Sequence, residues 1–257
     1  MRVTLIDYTG RSSNGSTNPW YAASLMIWTK QTRVEMSPGG FEEIMAWPED
    51  KKLEELRYMA ATVPSSWEFC DFTFLIEQVT RAFTHQLVRT RTASYAQQAM
   101  QVLNVSQGPG WKYLVGPTLE QQGLEGERSL YEETMATVAG AYKLLVNTPG
   151  VKTEDARGLL PTNILTNIVM KANLRTLCDL IRKRTSPRNQ GEFVDVIRLM
   201  KEEMISALPW TDIFLNREAD KVSAELYRLI EELPPSKHRT DMIKRVDQLL
   251  TNIGSGE

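Results

Sequence analysis

The chain has 257 residues, 42% of them hydrophobic, enough to bury a full core as one large domain or two small ones. Its 30 Lys and Arg against 32 Asp and Glu leave a formal net charge of −2, which argues against a generic nucleic-acid binder with its basic excess. Cys70 and Cys178 give no disulfide framework, no apolar run approaches a membrane span, and Asp7 sits where a secretory signal is apolar, so a soluble cytoplasmic protein is expected.

In chain order, residues 3–8 read as a strand, and residues 10–19 read as a loop by their Ser, Asn and Gly chemistry. Trp20 opens a helix to about residue 32, and a break follows over residues 36–40. Pro48, favoured in a first turn, opens a charged helix to about residue 62, which Pro64-Ser65-Ser66 interrupts.

The stretch over residues 72–101 is the one the rest of the chain is organised around. Ile76, Val79, Phe83 and Leu87 recur at helical steps and predict a helix over its first half. From its middle it gathers Arg81, His85, Gln86, Arg89 and Arg91. Arg89 and Arg91 are permanently charged planar forks that call for an anion, a carboxylate or an aromatic plane. A solvated helix end, with cations favoured by the dipole, accounts for the same composition.

Gly108-Pro109-Gly110 predicts a turn, and a helix around residues 127–145 ends at Pro149-Gly150. Residues 166–184 predict a second long helix, with Asn173, Leu177, Leu180 and Arg184 on one face. Arg175 and Asp179 make an i,i+4 pair on the neighbouring face. Along such a helix Asn173 and Arg184 stand roughly 16 Å apart, a spacing suited to the two ends of an extended ligand. A half-buried helix with exposed arginines reads the same pattern without a ligand. Phe193, Ile197, Met200 and Met204 mark an amphipathic helix stopped at Pro209, its methionines read as core. Val222, Leu226, Leu229, Ile230 and Leu233, then Met242, Val246 and Leu250 beyond Pro234-Pro235, predict an appended helical pair for packing or assembly.

Several chemistries are set aside at this level. His85 and His238 lie far apart with no Cys or carboxylate at ligand spacing, so no metal site is expected. There is no Gly-rich phosphate loop of either common type, and neither cysteine has a histidine near it in sequence.

The order Phe72-Thr73-Phe74, Ile76-Glu77, Arg81-Ala82, His85-Gln86-Leu87-Val88-Arg89, Arg91 and Ala93-Ser94-Tyr95 with Gln97-Gln98 resembles the signature of the flavin-dependent thymidylate synthases. That family carries Arg-His-Arg, seven residues, Ser, and two positions on another Arg. A second block comes later in the right order: Glu154-Asp155-Ala156-Arg157, Leu160-Pro161, Thr166, Asn173, Arg175, Arg184, Gln190 and Glu192. The resemblance implies an α+β fold of long helices packed with a small sheet over residues 1–216, with residues 217–257 as the C-terminal helical extension.

It also implies a homotetramer whose subunits share active sites holding flavin adenine dinucleotide (FAD). Such enzymes move a one-carbon unit from methylenetetrahydrofolate to carbon 5 of dUMP and use NADPH to reduce the flavin. By match, Ser65, Arg89, Arg91, Asn173 and Arg175 would hold the flavin, and Asp179 stands where the family has Asn or His near the flavin ring. Gln86, Arg89, Gln97, Arg157 and Arg184 would hold the nucleotide, with the backbone at Gln98 and Ala99 at its phosphate end. Arg184 matches the activating, catalytic arginine.

The departures are equally specific. Thr90 replaces the histidine of Arg-His-Arg, Ala99 the serine, and Gln101 the final arginine. Ser65 and Glu68 remain of the family's His-x-Ser-x-x-Glu-His, but Val63 and Phe69 replace its histidines, and Gly191 replaces a tryptophan. Losing the cation at position 101 removes a charged hydrogen bond of roughly 1.5–3 kcal/mol unless another, such as Lys112, substitutes. Three readings stay open: methyl transfer to dUMP, a diverged methyl or hydroxymethyl transfer to another pyrimidine nucleotide such as dCMP, and a non-catalytic homologue keeping the fold.

Overall fold

The computed structural model describes residues 1–257 except 12–16, 32–36, 63, 100–111, 185–190, 217–225, 227, 231, 235 and 256–257. Four strands pair antiparallel in one sheet: β1 (Arg2–Tyr8), β2 (Asp71–Thr80), β3 (Ser94–Gln97) and β4 (Leu165–Asn173), in the order β1-β2-β4-β3. Helices α1 (Tyr21–Lys30), α2 (Pro38–Met45) and α3 (Glu49–Ala60) lie between β1 and β2. Then come α4 (Arg81–Leu87), α5 (Glu125–Val146), α6 (Thr153–Ala156), α7 (Leu174–Arg184), α8 (Gly191–Ala207), α9 (Asp212–Leu215) and α10 (Lys237–Ser255). This is the expected α+β arrangement, long helices against a small sheet. Among the described residues no helix is long and apolar enough to cross a membrane.

Two expected helices are corrected. The first half of residues 72–101 is the strand β2, and only Arg81–Leu87 is helical. Phe72, Phe74 and Ile76 are all fully buried. In a helix, residues two apart point about 200° from one another, so at least one of the three would face water. Each such side chain gains about 1.5–3 kcal/mol on full burial, and the strand buries them all. Similarly, the long helix over 166–184 is β4 followed by α7. Thr166, Ile168, Met170 and Ala172 alternate inward, a period of two that apolar residues on α7 had masked. The break placed at 36–40 is also corrected: Ser37 caps α2 by accepting from the Gly40 N–H at 3.2 Å, with Pro38 in the first turn. The turn placed at residues 108–110 and half of the helix over residues 222–233 lie outside the described residues.

The sheet packs one face against α8 and the helical layer around α1 and α7. Phe83 on α4 meets Phe193 on α8 with ring centroids 5.0 Å apart, and Trp67 meets Phe214 at 4.9 Å. Two strand-to-helix junctions have no loop: β2 runs straight into α4 and β4 straight into α7. Because β2 and β4 are antiparallel, with Asp71 opposite Asn173 and Thr80 opposite Leu165, the two helices start at opposite ends of the sheet. The β2–β4 register shifts between Ile76 and Val79, where Gln78 takes φ +56° and donates its N–H to Asn167 Oδ1 at 2.9 Å.

Candidate functional site

At the start of α7, the Asn173 side chain accepts from the Thr176 N–H at 2.9 Å and caps the helix. The Leu174 N–H donates to the Cys70 carbonyl at 2.8 Å, fastening the helix to the lead-in of β2. The Thr176 and Thr92 hydroxyl oxygens are 3.1 Å apart, which ties the turn bearing Arg91 to the same helix. Arg91, Thr92 and Ser94 then line an open cleft of 320 Å³ with Asp71, Lys171 and Asn173. Lys171 donates to Asp71 at 2.9 Å, and this bond raises its pKa above the ordinary lysine value, so the cleft keeps its ammonium.

Ser65 is exposed in the 3₁₀ turn Pro64–Phe69, which packs on α7. From that turn Glu68 accepts from Arg175 at 2.6 Å. Asp179 instead accepts from Arg182 at 2.8 Å. The expected Arg175–Asp179 pair is therefore corrected to two separate pairs, because the 3₁₀ turn brings a carboxylate within reach of the helix start. Both Arg175 and Glu68 are about half exposed, so their pairing contributes at most about 1 kcal/mol and can rearrange around a ligand.

The turn after α4 is held from inside. The Tyr95 hydroxyl lies 2.9 Å from the Leu87 carbonyl and 3.0 Å from that of Thr90, bridging residues on either side of exposed Arg89. Burial pushes the Tyr95 pKa up, keeping the proton that makes this bridge. Gln97 donates to the Thr84 hydroxyl at 3.1 Å, and Gln86 is half-buried on the same helix. The Gln98 N–H donates to the Asn167 carbonyl at 3.0 Å, and Ala99 is exposed next to it.

At the far end of α7 the Arg184 guanidinium lies over the Phe193 ring, 4.9 Å from its centroid. Phe193 in turn touches Phe83, so α4, α7 and α8 meet there. Arg184 is nine residues along from Arg175, about 14 Å of helix. The expected residues thus fall into two groups joined by one helix: Ser65, Arg91, Asn173 and Arg175 at its start, and Gln86, Gln97 and Arg184 around α4 and its end. Arg157 is carried by another segment of the chain. It is exposed in the 3₁₀ turn Arg157–Leu159 packed against α5 and α6, 3.9 Å from Glu154. Gln101 and Gln190 lie outside the described residues, and Lys112 is exposed, its carbonyl accepting from the Leu165 N–H at 3.0 Å.

Sequence reasoning missed Thr80, Thr84, Thr92 and Lys171, and it read Phe193 only as part of an amphipathic helix. Thr80 sits just ahead of Arg81, an N-cap signal that the helix assigned across it concealed. The cysteines are free and buried, and burial pushes the Cys70 thiol well up, the state of a packed rather than a nucleophilic cysteine.

The family model for thymidylate synthase complementing protein matches residues 4–210. The flavin-dependent thymidylate synthase of Pyrococcus furiosus is 35% identical over 207 residues, 79% of each chain. That of Pyrococcus abyssi is 34% identical over 206 residues, again 79% of each chain. That of Geobacter sulfurreducens is 38% identical over 138 residues, 52% of this chain and 58% of its own.

Proposed function

Since the chain belongs to the thymidylate synthase complementing protein family, we propose that it is a flavin-dependent methyltransferase converting dUMP to dTMP. In this reading methylenetetrahydrofolate gives the carbon, NADPH the reducing equivalents, and FAD is the cofactor of a cytoplasmic homotetramer with shared sites. The catalytic domain spans residues 1–216, and the helical extension over 217–257 serves packing or assembly; the family match, which ends at residue 210, supports that boundary.

One observation carries the reading: a single helix, α7, has a cation-lined polar cleft at its start and an arginine seated on an aromatic ring at its end. The cleft suits a dinucleotide's phosphates, since Arg91 supplies charge beside the Lys171–Asp71 pair and Thr92, Ser94 and Asn173 supply further donors. Arg89 extends that charge along the turn, and Arg175 can leave Glu68 for a ligand at little cost. The cleft is open, which fits a site that a second subunit closes and to which Arg157 is contributed from another copy. When bound, the flavin supplies the hydride chemistry.

The protein's own part is placement and field. Gln86 and Gln97 border the nucleotide, and the Gln98–Ala99 backbone meets its phosphate. Arg184 is donor-only and presents its planar edge to a ring carbonyl. As carbon 5 becomes nucleophilic, negative charge grows on that carbonyl, and the fixed guanidinium stabilises it most in the transition state. A donor-only group selects the carbonyl of uracil over the amino group of cytosine. Asp179, the acceptor that would favour dCMP, pairs with Arg182 on the exposed face of α7.

The test offers dUMP and dCMP in parallel to the purified protein with flavin, NADPH and methylenetetrahydrofolate. dTMP formed from dUMP alone is expected. Product from dCMP alone replaces this reading with the diverged one. Colourless protein with no spectral or thermal response to excess FAD, and no product, leaves the non-catalytic homologue.

A further inference from the structure

The first turn of α8 holds two side chains, adjacent in sequence, that each reach a different part of the candidate site. Glu192 is buried, at 8% exposure, and its carboxylate accepts from the Thr80 N–H at 2.7 Å and the Thr80 hydroxyl at 2.5 Å. The Thr80 hydroxyl oxygen in turn accepts from the Phe83 N–H at 3.0 Å and caps α4. The remaining first-turn donors of α4 are also taken: the Arg81 N–H by the Ile164 carbonyl at 3.1 Å and the Ala82 N–H by the Thr162 carbonyl at 2.8 Å. A buried carboxylate is costly unless hydrogen-bonded. Here it accepts two hydrogen bonds and lies at the positive ends of both α4 and α8. Its neighbour Phe193 is buried at 1% exposure, with one contact to Phe83 and another to the Arg184 guanidinium.

We propose that Glu192 and Phe193 are the positioning pair of this site. Glu192 fixes the start of α4, and so the placement of Gln86 and the arginine turn, while Phe193 fixes the plane of the Arg184 guanidinium. This rests on the reading that Arg184 faces the pyrimidine ring. A ring 4.9 Å from the guanidinium carbon occupies one side of the group and limits its rotation, leaving N–H donors on the other sides for the substrate. The same ring touches α4, so the nucleotide-bordering helix and the activating arginine share one reference point. An arginine on the last turn of a helix otherwise samples many rotamers, and misplacing a reacting group by about 1 Å costs on the order of a hundredfold in rate.

The test uses the full-length holoprotein with dUMP. Phe193→Leu removes the ring face and keeps apolar bulk, and Phe193→Tyr keeps the face. Expected are a kcat lowered about ten- to a hundredfold in the Leu variant with KM for dUMP within about threefold, and recovery in the Tyr variant. Glu192→Gln and Glu192→Ala should lower kcat in increasing order. Thr80→Ser should keep near-normal turnover where Thr80→Val does not. An unchanged kcat in Phe193→Leu, or equal losses in Leu and Tyr, overturns the assignment. Unfolding midpoints of Phe193→Leu, Arg184→Ala and the double variant give a readout free of activity. Non-additive shifts support the contact and additive ones overturn it. If the wild type turns over neither nucleotide, the proposed reaction falls, and this cycle still decides whether Phe193 and Arg184 are coupled.

Discussion

Asn173 performs two tasks on separate atoms, and that separation makes it the sharpest test of the cleft. Its Oδ1 is committed to the Thr176 N–H, so the donor it can offer a ligand in the cleft it lines is Nδ2. Asn173→Ala removes both. Losing an N-cap costs about 0.5–2 kcal/mol, and Thr176 is buried at 7% exposure, so its N–H finds little water and the upper half of that range applies. At about 2–4 °C per kcal/mol for a chain of this size, Tm should fall by about 2.5–8 °C. Asn173→Asp keeps the capping oxygen and puts negative charge at a helix start, which contributes about 0.3–1 kcal/mol in favour of the fold. Its Tm should therefore match or exceed wild type. It loses the Nδ2 donor, however, and a hydrogen bond to a charged phosphate is worth roughly 1.5–3 kcal/mol, so FAD affinity should drop about 10- to 150-fold. Flavin fluorescence titration and thermal melts on the same samples read the two effects apart. An Asp variant that binds FAD as tightly as wild type would refute the placement of Nδ2 in the cofactor site. An Ala variant with unchanged Tm would refute the capping argument.

Three further outcomes are expected. Tyr95→Phe removes the hydroxyl bridging Leu87 and Thr90, costing about 1 kcal/mol in stability, and loosens the arginine turn so that FAD affinity falls in the titration. Arg184→Ala should abolish turnover of dUMP, and Arg184→Lys should fail nearly as badly because an ammonium has no planar fork; full activity in the Lys variant would refute the activating role. Arg157→Ala should leave unfolding within about 0.5 kcal/mol of wild type, since the side chain is exposed, while weakening dUMP binding measured by calorimetry.

The sequence offered the candidate residues more clearly than the elements that carry them. Arg89, Arg91 and Arg184 stood out because charge is visible in a sequence and needs an explanation wherever it clusters. β2 did not stand out, because Ile76, Val79, Phe83 and Leu87 straddle a junction: the first two are in a strand and the last two in a helix, yet their spacing imitates one helix. The same confusion hid β4, whose inward Thr166, Ile168, Met170 and Ala172 run into the apolar positions of α7 without a Gly or Pro to mark the change. Neither junction has a loop, so no turn chemistry announces it. Glu192 was visible only as a matched letter. Its partner Thr80 is 112 residues away, and a long-range hydrogen bond leaves no local signature.

Those unmarked junctions are also what spaces the site. Because β2 and β4 are antiparallel neighbours, the strand that ends beside Asp71 must start beside Thr80. Helix α7 begins at the Asp71 end, where Asn173 and the Arg91 turn make the cleft, and runs back toward the Thr80 end. At Arg184 it meets Phe193, which already rests on Phe83, three residues beyond Thr80. The separation of cleft and arginine is therefore set by the 11 residues of α7, about 16 Å, and anchored at both ends to the same pair of strands. A loop at either junction would let one end drift against the other. Direct strand-to-helix passage removes that freedom. A ligand spanning the two ends therefore meets a fixed distance, although the surrounding helices pack by ordinary apolar contact.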